Sequence, residues 1–463
     1  MRSKSGWQFI GIIIVALVVV LLAVRITSDS MPVETDTTAQ STTPQAGLTV
    51  DAGIVIAQIS PYAFGANLGP FAIPIGLFDE AEHSGITFLR FPHGRWGDEN
   101  NLSHFNIDLF IRMARLIGAE PSIAVRLDHG TPEAAAELVR YTNIEKEYGV
   151  RYWYIGNEPN LYAGYRDESY TTEDHNREWR AIAEAMLTVD PDIKLIGPGI
   201  SQWNGTPQID PRDSDGRDWL REFLLANGDL VDIVSVHRYP FPLSQANPRT
   251  TIDDLRNNVA EWSNTLPNLR AVIAETTGRD DLKIAVTEFN SHWSANVGGE
   301  ATNDSHYNAI WTADVLGRML EHEPFTLAYF DYYTADGRGG WGLLADFDVR
   351  PTYYTYQMYQ HFGNQMVAAN STVDNLSVYA STHEDGALTV IVVNLADEAV
   401  TTTLSIDNFA GATSPEAWLF DPEHKVEPMT DTIVGASGEL MFPAQSITLL
   451  EYPSAITQSI PLN

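Results

Sequence analysis

The segment Arg151-Tyr152-Trp153-Tyr154-Ile155-Gly156-Asn157-Glu158-Pro159-Asn160 runs from an apolar strand into a turn that carries a carboxylate. Arg151 to Ile155 is short and apolar, as a buried strand requires, and Pro159 cannot continue a hydrogen-bonded ladder. Glu158 is therefore held where the chain leaves the sheet. A second stretch, Ala285-Val286-Thr287-Glu288-Phe289-Asn290, ends in the same way.

Working outward from these two, the chain between Leu48 and about Tyr333 alternates short apolar runs with stretches of helical period, the pattern of repeated βα units. The runs are Tyr62 to Leu68, Ile86 to Phe91, Pro121 to Leu127, Arg151 to Ile155, Ile193 to Gly197, Val231 to Val236, Leu282 to Val286 and Leu327 to Tyr333. Eight such units predict an α/β fold of the (β/α)8 TIM-barrel type. The helix after the third run opens with Thr131 as N-cap and Pro132 at the first helical position, and ends by Gly149. After Pro351 to Phe362 the period changes to alternating strands (Ser377 to Ala380, Leu388 to Leu395, Ser446 to Tyr452), which predicts a C-terminal β-sandwich. The expected organisation is a barrel over 48–363 and a sandwich over 364–463, with 48–59 strand-like and a candidate to join the sandwich.

The first 47 residues read differently. Twenty uncharged residues separate Lys4 from Arg25, apolar throughout from Phe9 to Val24, and at about 1.5 Å per residue a helix there reaches about 30 Å, one bilayer core. Residues 1–25 are expected to form a transmembrane helix. Arg2 and Lys4 precede it, which puts the remainder of the chain outside the cell, tethered to the membrane. The alternative is a cleaved signal segment and a secreted product. Residues 26–47, rich in Ser, Thr, Asp and Pro, read as a flexible stalk.

Composition narrows the function. With 28 Lys plus Arg against 61 Asp plus Glu the formal charge is −33, which repels nucleic acid. No cysteine is present, so thiol nucleophiles, thiolate metal sites and disulfides are excluded. No nucleotide-binding loop, metal-binding helix motif or serine elbow appears, and no cofactor or metal is expected. The pair Asp346 and Asp348 reads as a solvated turn rather than a calcium site. The sequence leaves the oligomeric state open.

In a TIM barrel the active site lies at the C-terminal ends of the strands, where runs four and seven place Glu158 and Glu288 on opposite sides of the axis. Glycoside hydrolysis needs such a pair. One carboxyl protonates the leaving oxygen, while the other attacks the anomeric carbon at about 5–5.5 Å separation or activates a water at about 6.5–9.5 Å. Arg90, ending run two, is placed to hold Glu288 ionised. His93 and His237 are candidates to bond sugar hydroxyls. The aromatic residues Tyr162, Tyr165, Trp203, Trp293 and Trp341 lie after strand ends, where they either stack on sugars or cover the rim.

These motifs resemble clan A of the glycoside hydrolases, over most of residues 55 to 452. Within it, Arg90-Phe91-Pro92-His93-Gly94, Asn157-Glu158-Pro159-Asn160-Leu161, Val236-His237-Arg238-Tyr239-Pro240 and Thr287-Glu288-Phe289-Asn290 are similar to those of family 39, the β-xylosidase and iduronidase group. Pro92 and Gly156 depart from that family, and Gly-Asn-Glu and Arg-Phe-Pro are closer to the family 51 α-L-arabinofuranosidases. The departures bear on the substrate rather than on the chemistry. The resemblance implies a retaining enzyme with Glu158 as acid then base, Glu288 as nucleophile and Asn157 bonding the sugar 2-hydroxyl. It further implies that Tyr239 bonds the nucleophile and that Trp341 lies beneath the reacting sugar. The expected activity is cleavage of poly- or oligosaccharides, of β-xylosidase, α-L-arabinofuranosidase or endo-β-glycanase type. The rivals are a non-catalytic carbohydrate-binding protein on the same barrel, and an inverting or transglycosylating enzyme with the same residues.

Overall fold

Parallel strands covered on both faces need unbroken apolar runs. In the computed structural model, which describes residues 47–455 apart from 71, 73, 75, 167, 242–248 and 430–438, eight such runs close into a parallel barrel. Its strands are Phe64–Asn67, Phe88–Phe91, Glu120–Val125, Tyr152–Ile155, Lys194–Ile200, Ile233–Arg238, Lys283–Phe289 and Leu327–Tyr329, each parallel to the next and the last pairing with the first. All eight expected runs are strands, with ends shifted by a few residues. The expected membrane helix and nearly all of the stalk lie outside the described residues. Among the described residues no helix is long and apolar enough to cross a membrane.

Alternation along each strand divides the side chains. Trp153 and Ile155 face the surrounding helices, whereas Tyr152 and Tyr154 belong to a separate inner cluster with Phe88, Ala124, Ile196, Ile233, Ala285 and Phe325. At the N-terminal end of the barrel the rings of Tyr62, Phe88, Tyr152 and Phe325 lie with centroids 4.9–6.2 Å apart and fill the lumen. Tyr154 forms the next layer, and its ring lies 4.8 Å from the Arg90 guanidinium carbon. From that level upward the interior turns polar.

The helix after strand three begins as expected. Thr131 Oγ1 accepts from the Ala134 amide at 3.2 Å, and Pro132 opens the helix Pro132–Val139. It continues as a wider π-helical turn over Arg140–Glu145, and Gly149 follows at φ +69°.

The second layer is one eight-stranded sheet. Its order is Leu404–Asp407, Leu48–Gln58, Gln365–Ser371, Leu376–Thr382, Leu388–Asn394, Ser446–Tyr452, Glu416–Phe420 and Lys425–Pro428. The strand at Leu48–Gln58 precedes the barrel in sequence but pairs antiparallel with Gln365–Ser371 and parallel with Leu404–Asp407. One face of the sheet packs under the short ribbon Val400–Thr402 with Leu440–Phe442, around Val50, Val378, Val390, Leu450 and Phe442. The other face, with Tyr379, Ile391, Val393 and Leu449, joins the barrel core. This arrangement is sandwich-like, but most of the second side is supplied by the barrel itself.

Contact between the layers is close enough to demand a glycine. A Cβ on Gly317, in the helix His306–Leu320, would lie 2.4 Å from the Tyr379 ring. The Tyr379 hydroxyl then donates to Asp314 at 2.7 Å, and Asp314 pairs with Arg318 at 2.7 Å.

Candidate active site

The turn after strand four is held amide by amide. Gly156 has φ +82°, and a Cβ there would meet Leu127 at 2.7 Å, so only glycine fits. Its N–H donates to the Val125 carbonyl at 2.9 Å. The Asn157 N–H donates to Asp98 Oδ2 at 2.7 Å, and the Glu158 N–H to the Gly199 carbonyl at 3.1 Å. Glu158 itself is left-handed, at φ +49°. This backbone turns the Glu158 side chain over the lumen, where it is 18% exposed.

Glu288 reaches the lumen by a different device. Val286 and Phe289 both face the helices, a spacing that strict alternation forbids. The register resolves it: Val236 pairs with Val286 and His237 with Glu288, so Thr287 is an extra residue in strand seven. The bulge re-aims Glu288 inward. There the carboxylate is 4% exposed, receives Arg90 Nη1 at 2.6 Å and the Tyr239 hydroxyl at 2.8 Å, and so is fixed in orientation.

Arg90 joins the two halves of the site. Its Nη1 also donates to Asn67 Oδ1 at 3.0 Å, and its Nη2 donates to Asn157 Oδ1 at 2.8 Å. Burial alone would raise the Glu288 carboxyl. The electrostatic influence of His237, Arg90 and His93, with the Arg90 hydrogen bond, outweighs that and holds it below its ordinary value, ionised. Burial, with Glu288 and Glu158 nearby, pushes the Tyr239 phenol far upward, so it remains a proton donor.

His237 corrects an expectation. It is wholly buried, so it is not placed to bond sugar hydroxyls; its Nδ1 lies 3.1 Å from Glu158 Oε1 and 3.6 Å from Glu288 Oε2. The imidazole is hydrogen-bonded to Glu158 and lies beside Glu288, between the two carboxylates. One oxygen of each glutamate and a ring nitrogen of His237 lie within 4.8 Å of one another, a spacing that three metal ligands share. A cation there would share the Glu288 carboxylate with the Arg90 guanidinium on its other oxygen, a like charge that disfavours it. Two facing carboxylates, one of them fixed by Arg90 and Tyr239, suit proton transfer and nucleophilic attack instead.

The remaining expected residues divide. His93 sits at the mouth, its Nε2 3.3 Å from Asp331 Oδ2 and its ring edge-on to Phe330. Trp341 is partly exposed and packs at 80° to the same Phe330 ring, with centroids 5.8 Å apart. Trp293 and Tyr165 present open faces, 52% and 44% exposed, although Arg95 covers one side of Tyr165 at 3.7 Å. Tyr162 and Trp203 are buried and cannot stack on a ligand. Asp346 accepts from the Tyr333 hydroxyl, and Asp348 from the Val349 amide, as turn residues do. Asp98 was not signalled by the sequence: it is an acidic residue in the short helix Gly94–Glu99, and its burial follows only from the packing.

Comparison with known proteins meets this geometry. The intracellular exo-α-(1→5)-L-arabinofuranosidase of Streptomyces lividans is 24% identical over 256 residues, 42% of this chain and 37% of that protein. The corresponding Bacillus subtilis enzyme is 21% identical over 65% of this chain and 66% of its own length. The chain thus spans little more than a third of the first relative and just under two thirds of the second. In fold, the α-L-arabinofuranosidase of Thermotoga maritima superposes with a TM-score of 0.67 at 18% identity, over 88% of this chain and 99% of that one. A bifunctional glucanase-xylanase from a metagenome library gives 0.69 at 18% identity with the same coverage. The sequence model described as Glycosyl hydrolases family 39 matches residues 137–397, more than half of the chain, and takes in both strand ends that carry the facing carboxylates. With the barrel, the two glutamates and that match in agreement, the chain belongs to Glycosyl hydrolases family 39.

Proposed function

We propose that the protein is a retaining glycoside hydrolase working by double displacement. The observation that carries this reading is the carboxylate pair: an oxygen of Glu158 and one of Glu288 lie within 4.8 Å of each other, a close approach that supports the roughly 5–5.5 Å class. Glu288, held ionised, attacks the anomeric carbon while Glu158 gives its proton to the glycosidic oxygen. The carbon–oxygen bond breaks, the alcohol leaves, and a glycosyl ester of Glu288 remains. Glu158, now a carboxylate, takes a proton from water as that water attacks the same carbon and releases Glu288. Arg90 and Tyr239 steady the nucleophile, and Asn157, whose Oδ1 is taken by Arg90, offers its amide NH2 to the sugar 2-hydroxyl.

For substrate we propose an α-L-arabinofuranoside first, because the relatives described above carry that name, with β-xylosides and β-glucans as the other candidates. His93 and Trp341 border the reacting sugar in this reading. The apolar segment before Arg25 would hold the enzyme at the membrane with its barrel outside; release of the full chain by detergent but not by alkaline carbonate would test the anchor, and protease access to the barrel in intact cells its side.

The test is an assay of the purified full chain on aryl glycosides and on plant and microbial polysaccharides, beside Glu158→Ala and Glu288→Ala. Both substitutions should cost orders of magnitude, and azide should rescue Glu288→Ala as a glycosyl azide of opposite anomeric configuration. Activity that survives Glu288→Ala would falsify the mechanism. A folded chain that binds glycans and cleaves none favours the binding-protein reading.

A further inference from the structure

Three consecutive amides set the direction of Glu158, and they are held by three different elements. Gly156 N–H is held by the end of strand three and Glu158 N–H by Gly199, itself an extra residue in strand five at φ +65°. Both of those acceptors are backbone carbonyls, which no side-chain substitution removes. The middle amide, Asn157 N–H, alone depends on a side chain, the carboxylate of Asp98.

Asp98 is 2% exposed and carries more than that one bond. Its Oδ1 accepts from the Leu127 N–H at 3.1 Å, and its Oδ2 also receives the Tyr162 hydroxyl. Tyr162 lies beyond the turn, in the 3₁₀ segment Pro159–Gly164, so Asp98 grips the turn on its near side and on its far side. Leu127 lies just beyond the end of strand three, and the same residue's side chain lies against Gly156. One carboxylate thereby ties the loops after strands two, three and four. A buried acid meeting three donors and no cation is costly to keep, and burial lifts its pKa to about 6 against the hydrogen bonds that lower it. No cationic group lies among its hydrogen-bond partners to give it a purely ion-pairing role.

We propose that Asp98 is a positioning residue for the general acid: by holding the Asn157 amide and Tyr162 it fixes the left-handed turn from which Glu158 reaches the leaving-group oxygen. The inference rests on Glu158 being that acid. Asp98 lies on the loop after strand two, whereas Glu288 is held by Arg90, Tyr239 and its own bulge, so loss of Asp98 disturbs proton donation more than nucleophilic attack.

That asymmetry gives a test that a merely structural role does not pass. Glycosides with a poor leaving group need the proton, and those with a good one do not. The full chain, Asp98→Ala, Asp98→Asn and Glu158→Ala are compared on a phenyl and a 2,4-dinitrophenyl glycoside of the cleaved sugar, with thermal melting of each. Glu158→Ala should lose far more on phenyl than on dinitrophenyl substrate; if it does not, the acid assignment fails and this inference falls with it. Given that control, the Asp98 variants should lose about 10- to 100-fold in kcat/KM on the phenyl glycoside and less than about threefold on the other. Asp98→Asn, nearly isosteric, serves if Asp98→Ala does not fold. Equal losses on both substrates, or no loss on either, overturn the proposal.

Discussion

Replacing Arg90 by Met should move the acid limb of activity upward. The Arg90 Nη1 to Glu288 Oε1 distance is 2.6 Å, which places the two charge centres roughly 4 Å apart, and at an effective dielectric of about 20 their attraction is about 4 kcal/mol. That attraction, beside the influence of His237 and His93, is what holds the Glu288 carboxyl down against its burial. In the intact protein that carboxyl sits below its ordinary 4.5, so the nucleophile is charged through the whole neutral range and activity is lost only when pH falls through its lowered pKa. Without Arg90 the burial that raises Glu288 is less opposed, and the acid limb of kcat/KM should climb to higher pH. Asn67 Oδ1 and Asn157 Oδ1 lose their donor as well, so the variant should also melt earlier, by an amount corresponding to about 3–5 kcal/mol. Arg90→Lys separates the two effects, since it keeps the charge and loses the fork. The assay is the pH profile of kcat/KM on an aryl glycoside for the three proteins, at temperatures well below each melting point. An acid limb that stays in place in folded Arg90→Met, or one that moves as far in Arg90→Lys, refutes the electrostatic account.

Other expectations follow from the same geometry. Tyr239→Phe removes a buried hydrogen bond to a charged acceptor worth about 1.5–3 kcal/mol, so melting should come earlier and kcat/KM should fall by about 10- to 150-fold; an unchanged rate separates Tyr239 from the nucleophile. Asp98 has its pKa raised to about 6 from 3.8, so its contribution to stability is fully present below about pH 3.8 and is lost as pH rises through 6, about 3 kcal/mol in all. Relative to the native chain, Asp98→Asn should therefore gain stability between pH 4 and pH 7, read by urea unfolding at each pH; parallel curves count against a buried charge. Gly317→Val would drive a branched side chain into the Tyr379 ring, and should cost at least about 1–3 kcal/mol, seen as an earlier melting transition of the whole barrel-and-sheet unit.

The barrel was readable because parallel strands covered on both faces announce themselves as uninterrupted apolar runs, and all eight did so. Glu158 was readable because Pro159 marks where its strand ends. Glu288 was found by position, but the reason it faces inward was not: the extra Thr287 is a matter of register between two strands, and no local signal in Thr287-Glu288-Phe289 announces it. The same register places His237 beside Glu288, which turned an expected sugar ligand into a neighbour of both carboxylates. Aromatic residues after strand ends carry no sign of direction, so Tyr162 and Trp203 could not be told from Trp293 until the loops were folded. Asp98 escaped notice because an acid in a short polar helix is ordinarily solvated, and only the convergence of three donors from other loops shows otherwise.

The strand Leu48–Gln58 also has a history during synthesis. Its first residue pairs with Ser371, and about 320 further residues must emerge before that partner exists, roughly 15–65 s at about 5–20 residues per second. Throughout that interval the ribosome carries an unpaired strand containing Ile54, Val55 and Ile56, side chains that remain substantially exposed even when folding is complete. The whole barrel sequence is made between them, so this strand can be paired only after every barrel strand has been synthesised. Long-range pairing of this kind leaves an apolar strand unprotected during synthesis, whatever the stability of the finished protein.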